Sequence, residues 1–347
     1  MTAMPSPTAR RRLGAVAAAA LLALTGCTST GGDGQAAGGT GPAAGGGGSP
    51  GGAGSGVVRV GTLRGQPHFY APYLYDEHAA EAGVEGVDFE VVALETAPAL
   101  NDALASGTVD FAVGSVTATI AGAAAGRDVR VVAAAADGGS GIIAREGINS
   151  VRDLVGKRVG YLESSSQLVA FQLILERSGV DIDDLQMISL TAPEFFNAFQ
   201  TGQIDAFSAP EIAVSLSKAA GGHEIADPYS TQIGRLNIAL LTTARQIRQD
   251  PDLVQAVVDT HAATTAYMAE HQDEWLPEMV AEYGGDERVF QTALGNFWLR
   301  ADLSPTYVEQ IGHLAEQMAR LGMIDEAPPV EEIVDTSFAD RGEPAAS

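Results

Sequence analysis

Four short segments carry the side chains best suited to holding a small molecule. Arg64-Gly65-Gln66-Pro67-His68 offers a guanidinium that can fork onto a carboxylate or sulfonate, with Gln66 and His68 beside it. His68 also reads as a packing or capping residue. Gly114-Ser115-Val116-Thr117 supplies two hydroxyls, Ser115 and Thr117, and the backbone N–H groups of a helix start, which serve equally as an ordinary cap and as an anion site. Glu163-Ser164-Ser165-Ser166-Gln167 repeats that chemistry with three serines, Ser164, Ser165 and Ser166. Gly138-Gly139-Ser140-Gly141 invites comparison with a nucleophile elbow, but Ile142 stands where that motif needs glycine, so Ser140 reads as a polar group at a chain crossing. Glu211 reads as a ligand contact or as the glutamate of a capping box, Ser208-Ala209-Pro210-Glu211. Asn237 and Tyr229 read as hinge or ligand contacts.

Other chemistries find no footing. The six histidines contain no i, i+4 pair and no His-Glu-x-x-His, and a single cysteine excludes an intrachain disulfide and a multi-thiolate site; no metal and no cofactor are expected. The nearest phosphate-loop echo, Gly156-Lys157-Arg158, lacks the following Ser or Thr and the upstream glycine. With 20 Lys+Arg against 44 Asp+Glu and a net charge of −24, the chain has no electrostatic attraction for nucleic acid.

The elements that must position these residues alternate. Val57–Thr62, Asp88–Leu94, Val109–Val113 and Val129–Ala134 read as strands, with helices at Phe69–Ala82, Pro98–Ser106 and Thr117–Ala125. The pattern restarts with strands at Arg158–Leu162, Gln186–Leu190 and Ile204–Phe207 and helices at Gln167–Ser178, Pro193–Thr201 and Pro210–Ala219. The restart is an internal repeat. Arg59-Val60-Gly61 matches Arg158-Val159-Gly160, and Gly107-Thr108-Val109-Asp110 matches Gly202-Gln203-Ile204-Asp205 in the same order. The fold class is therefore α/β, as two similar lobes, each with parallel strand pairing, facing one cleft outside the carboxyl ends of their strands. A strand at Leu236–Thr242 is followed by helices to the end, at Asp250–Met268, Trp275–Tyr283, Glu287–Arg300 and Pro305–Leu321, with no further strand expected.

The first residues are an export signal: Arg10, Arg11 and Arg12, then the apolar run Leu13–Leu24, too short for a membrane span. Leu24-Thr25-Gly26-Cys27 resembles the lipobox of bacterial lipoproteins, which implies cleavage before Cys27 and lipid on its thiol; Sec and Tat routes both remain open. Removing residues 1–26, with three Arg and no acidic residue, takes the charge of −24 to −27. Gly31–Gly56 holds 14 glycines in 26 positions and reads as a flexible tether reaching about 25–30 Å. The expected organisation is signal peptide 1–26, lipidated cysteine and tether 27–56, first lobe 57–140, second lobe 141–240, and a return to the first lobe with C-terminal helices over 241–340.

Three runs, Ala105–Ser115, Ser150–Gly160 and Ala198–Ala206, resemble the extracytoplasmic solute-binding proteins of ABC importers in the nitrate/sulfonate/taurine branch, with the periplasmic-binding-protein-like fold. The resemblance spans about residues 57–340. It implies a two-lobed clamp with crossings near Gly139–Ile143 and Ile238–Thr242, a lipid-anchored monomer at the outer face of the cell membrane, and delivery of a solute to permease subunits driven by a separate cytoplasmic ATPase. Two departures bear on the solute. Glu163 stands where the family commonly has lysine in a Lys-Gly-Ser turn, and Glu211 matches an acidic position whose flanking tryptophan and proline are replaced by Pro210 and Ile212. If both glutamates face Arg64, the solute carries both charge signs, favouring a sulfonate or taurine-like zwitterion over nitrate. The alternative is a binding protein for a thiamine-precursor pyrimidine. A pyrimidine-synthase-like enzyme is the remote one, since that chemistry needs a lysine and a cysteine-rich iron motif, and the mature chain holds only Lys157, Lys218 and Cys27.

Overall fold

The computed structural model describes residues 56–338; the expected signal peptide, Cys27 and nearly all of the expected tether lie outside the described residues. Chain order in the first half is β1 (Gly56–Leu63), α1 (Tyr75–His78), β2 (Val87–Leu94), α2 (Ala97–Ser106), β3 (Phe111–Ser115), α3 (Val116–Ala124) and β4 (Arg130–Gly138). The second group is β5 (Ser140–Ala144), β6 (Arg158–Tyr161), α4 (Ser166–Ser178), β7 (Gln186–Ser189), α5 (Glu194–Gln200), β8 (Ala206–Pro210), α6 (Ala213–Ala219) and β9 (His223–Ala226). The chain then returns through β10 (Ile238–Thr242), α7 (Ala244–Gln249), α8 (Pro251–Glu270), α9 (Gln272–Tyr283), α10 (Glu287–Leu294), β11 (Phe297–Leu299) and α11 (Pro305–Arg320).

Two sheets result, ordered β11-β4-β10-β3-β1-β2 and β7-β6-β8-β5-β9. Pairing is parallel among β2, β1 and β3 and among β7, β6 and β8, while β10, β4's partner, and β5 run antiparallel to their neighbours. Helices bury both faces of the first sheet. One face takes Val254, Val257, Trp275, Met279 and Leu294 from α8 to α10; the other takes Leu100, Ile120, Tyr307, Ile311 and Leu314 from α2, α3 and α11. The second sheet is covered by α4 on one face and by α5 and α6 on the other.

The internal repeat is a pair of structural clasps. The Asp110 carboxylate accepts the Arg59 backbone N–H at 2.9 Å and the Arg59 guanidinium at 3.1 Å; Asp205 accepts the Arg158 backbone N–H at 3.0 Å and its guanidinium at 2.6 Å. Each clasp pins the start of one parallel strand to the turn that leads into its neighbour. Both sit at the strand ends remote from the cleft, so the repeated residues report fold rather than ligand chemistry.

Several boundaries move. Phe69–Ala82 is not one helix: Pro67 and Pro72 each open a short 3-10 turn, and only Tyr75–His78 is α-helical. Pro210 closes β8 instead of starting a helix, and the Ser208 hydroxyl donates to the Gln167 carbonyl at 3.1 Å, so no capping box forms there. The expected helix Glu287–Arg300 ends at Leu294, and Phe297–Leu299 adds a strand against β4, correcting the expectation of an all-helical C-terminal region. The first crossing is the single residue Gly139, since Gly138 ends β4 and Ser140–Ala144 already belongs to the second sheet; the return crossing is residues 227–237, since Ile238–Thr242 is a strand of the first.

Candidate functional site

Strand register places the candidate residues on two facing rims. β1 and β3 are parallel, Ile238 of β10 pairs with Ser115 and with Ala136, and so Arg64, Ser115, Gly138 and Asn237 share one edge of the first sheet. In the second sheet Ser140 pairs with Pro210 and Tyr161 with Ser208, which puts Ser140, Glu211 and the Ser164–Gln167 turn on one edge. Only Gly139 separates the edges on the outgoing path.

Each rim ends in a capped helix. Ser115 caps α3 by accepting the Ala118 N–H at 3.4 Å, while Val116 donates to the Asn237 carbonyl at 2.9 Å, so β10 fixes the turn. Thr117 is buried one residue into α3, and Gly114 is pressed between Leu100 and Leu241, where a Cβ would lie 2.9 Å and 3.0 Å from their methyls. Across the cleft Ser165 caps α4, accepting the Leu168 N–H at 3.2 Å and donating to the Leu162 carbonyl at 2.7 Å. Ser164 is exposed with φ 52°, Ser166 is buried, and Glu163 is exposed. Gln167 donates to the Ser140 hydroxyl at 2.9 Å and ties this turn to the crossing.

The outer rim residues stand apart. Arg64 is exposed, 3.7 Å from Glu95 at the end of β2, and Gln66 precedes the first 3-10 turn without capping it by its side chain. His68 is buried, its ring stacked on Phe297 with centroids 4.1 Å apart; its Nδ1 is enclosed without a hydrogen-bond partner. Burial pulls the His68 pKa down to about 3, so the imidazole is neutral. Thr62 fixes the segment by donating to the Phe69 carbonyl at 2.7 Å.

Glu211 is committed within the protein. Its Oε2 accepts the Ser215 N–H at 3.0 Å, so it does cap its own helix, and its Oε1 accepts Asn296 Nδ2 at 3.0 Å. Burial raises its pKa, opposed by those bonds. Asn296 also donates to the Ser140 carbonyl at 3.1 Å and accepts the Tyr229 hydroxyl at 2.8 Å, and Tyr229 accepts the Ser140 N–H at 2.9 Å. Asn237 donates to the Gly138 carbonyl at 2.7 Å. Ser140, Glu211, Tyr229 and Asn237 thus gather at the crossings, with Asn296 and Gln167 as members that sequence reasoning passed over. Gly295-Asn296 after an amphipathic run is a helix-stop signal that marks the break in hindsight. Two surface grooves, of about 440 Å³ beside Val84 and Phe338 and about 610 Å³ beside Gln172 and Arg320, are lined by none of the candidate residues.

The family model described as NMT1/THI5 like matches residues 83–275, more than half of the chain, and the protein belongs to that family. A relative from Bacillus subtilis (strain 168), a putative aliphatic sulfonates-binding protein, is 27% identical over 260 residues, covering 73% of this chain and 78% of that one. Among solved structures, the alkanesulfonate-binding protein SsuA from Xanthomonas axonopodis pv. citri bound to MOPS superposes with a TM-score of 0.69 at 19% identity, covering 82% of this chain and all of that one (100%). The desulfurization enzyme DSZB superposes with a TM-score of 0.60 at 13% identity over 82% of this chain and 97% of that one. The fold is that of the periplasmic binding proteins, and it also carries an enzyme, so activity must be argued from the site.

Proposed function

We propose that this protein is the solute-binding component of an ABC importer, capturing a small sulfonate, or a taurine-like zwitterion, outside the cell and delivering it to a permease driven by a separate ATPase. The observation that carries the reading is the pair of capped helix N-termini, at Ser115 and Ser165, on opposite rims of the crossing at Gly139. Helix N-termini favour negative charge, and backbone N–H groups with hydroxyls such as those of Ser115 and Ser164 can share the three oxygens of a sulfonate without a buried cation, while Ser165, its proton on the Leu162 carbonyl, holds the turn in place. The relative's description as a sulfonate-binding protein points the same way. With Glu211 engaged by Asn296 and Ser215, the charges left for a zwitterion are the exposed Arg64 and Glu163. No bond is made or broken; function lies in the different affinities of the open and closed arrangements. Lipidation of Cys27 would hold the monomeric body at the outer face of the membrane.

Calorimetric and thermal titration with taurine, alkanesulfonates, MOPS, nitrate and a thiamine-precursor pyrimidine tests this. A solute present at 100 times its Kd adds about 2.7 kcal/mol of stability. Stabilisation by a sulfonate that weakens in Arg64→Ala, Ser115→Ala and Ser165→Ala supports the reading. Stabilisation by the pyrimidine alone replaces the solute class, and turnover of any of them refutes a pure binding role.

A further inference from the structure

Asn296 stands between α10 and β11, on the first sheet's side of the crossing, yet all its side-chain bonds leave that lobe. Its Nδ2 reaches the Ser140 carbonyl at 3.1 Å and Glu211 Oε1 at 3.0 Å, and its Oδ1 accepts the Tyr229 hydroxyl at 2.8 Å. Its own carbonyl accepts the Gly139 N–H at 2.7 Å, and the Gly139 carbonyl accepts the Glu211 N–H at 2.8 Å. One amide therefore touches the first residue of β5, the residue after β8 and the return crossing. The strand it introduces packs its neighbours on the hinge: Phe297 lies over Gly139 and Trp298 over Gly138. Those contacts reach further into the rims, because Ser140 holds Gln167 and the Phe297 ring supports His68.

We propose that Asn296 is the positioning residue of the cleft, a latch that ties the rim of the second lobe to the first and sets how far the two capped helix ends stand apart. The role as a determinant of solute affinity rests on the binding-protein reading; the latch itself does not. Asn296 makes no claim to touch solute. It acts through Ser140 and Glu211, and its loss shifts the population of the closed arrangement, which lowers apparent affinity by the same factor.

The test is hydrogen–deuterium exchange of the full chain without solute, so that failure to find a ligand cannot disguise the result. In Asn296→Ala, amides of Gly139, Ser140 and Glu211 should exchange roughly tenfold faster, since a buried carboxylate oxygen loses its donor. Amides of α8 in the first core should exchange as in the wild type. Asn296→Asp supplies the second measurement. It sets a carboxylate against Glu211, with Tyr229 and Arg235 from the return crossing and Lys218 and Glu224 nearby as the other ionisable groups around them. One shared proton restores the bridge, so protection of the crossing relative to wild type should return between pH 8 and pH 5. Wild-type exchange at the crossing in Asn296→Ala, or equal acceleration in α8, would overturn the proposal, as would an Asn296→Asp effect that ignores pH.

Discussion

Replacing Gly138 with alanine tests the crossing most directly. Gly138 has φ 84°, and a Cβ there would lie 2.5 Å from the Asn296 carbonyl oxygen and 2.5 Å from the Trp298 ring. The residue cannot slide, because its N–H donates to the Arg235 carbonyl at 2.7 Å and its carbonyl accepts Asn237 Nδ2 at 2.7 Å. Two costs add. The left-handed backbone costs alanine about 1–2 kcal/mol, and forcing a methyl into occupied space costs about 1–3 kcal/mol, giving a loss of roughly 2–5 kcal/mol. Gly147 is the internal control: its φ is 89°, and a Cβ there meets nothing within 4 Å. Gly147→Ala should therefore lose only the backbone share, about 1–2 kcal/mol. Urea unfolding of the two variants beside the wild type separates the terms, followed by fluorescence and by far-ultraviolet circular dichroism to check that both lobes unfold together. Equal midpoints for Gly138→Ala and Gly147→Ala would refute the claim that β11 closes tightly on the crossing.

Three further outcomes follow from the same geometry. His68 and His261 are buried neutral, with pKa values pulled down to about 3 and about 4 by desolvation; the unfolded chain takes up protons near pH 6.5 that the folded chain refuses. Stability should therefore fall as pH drops from about 6.5 towards 4, by about 2–3 kcal/mol per histidine at pH 4.5, and urea melts of His261→Phe should show a smaller loss over that range. Asp110→Ala and Asp205→Ala should each cost about 1–2 kcal/mol, since each removes the same clasp from one lobe; a large cost in one lobe and none in the other, measured by urea melts, would show that the repeat is not a structural pair. Ser165→Ala should lower stability by about 1 kcal/mol, with less for Ser115→Ala because its capping bond is longer, and both should weaken sulfonate binding in calorimetry.

The sheets were legible wherever β-branched runs stood between helix signals: β1, β2, β4, β6 and β10 lie within a few residues of their expected bounds. Ser140-Gly141-Ile142-Ile143-Ala144 carried no such mark, because two small residues and a flanking glycine pair look like a loop until pairing with β8 and β9 is known. The prolines at 67 and 72 were present to be read, yet helix periodicity hid that each restarts a turn. Rim residues such as Ser115 and Ser165 could be placed from sequence because they follow strands, and strand ends define the cleft. The bond between Asn296 and Glu211 could not, since it joins residues 85 apart in the chain with no periodic relation. Of the two readings of Glu211, the cap of its own helix is the one the structure shows, through Ser215, while the Asn296 bond takes up the second oxygen that a solute contact would have needed.

Trp298 gives the crossing an optical readout. The chain contains two tryptophans. Trp275 is sealed in the first core, 1% exposed, with its indole N–H on the Met268 carbonyl at 2.9 Å, so its emission should form a steady blue background. Trp298, 38% exposed, carries the Arg235 guanidinium 3.8 Å above its ring and lies against Gly138. Any rotation at the glycine pair shifts that cation and the water around the indole. On the clamp reading proposed above, the unlabelled protein should report its own hinge angle in the red part of its fluorescence, so that solute titration can be followed without introducing a single probe.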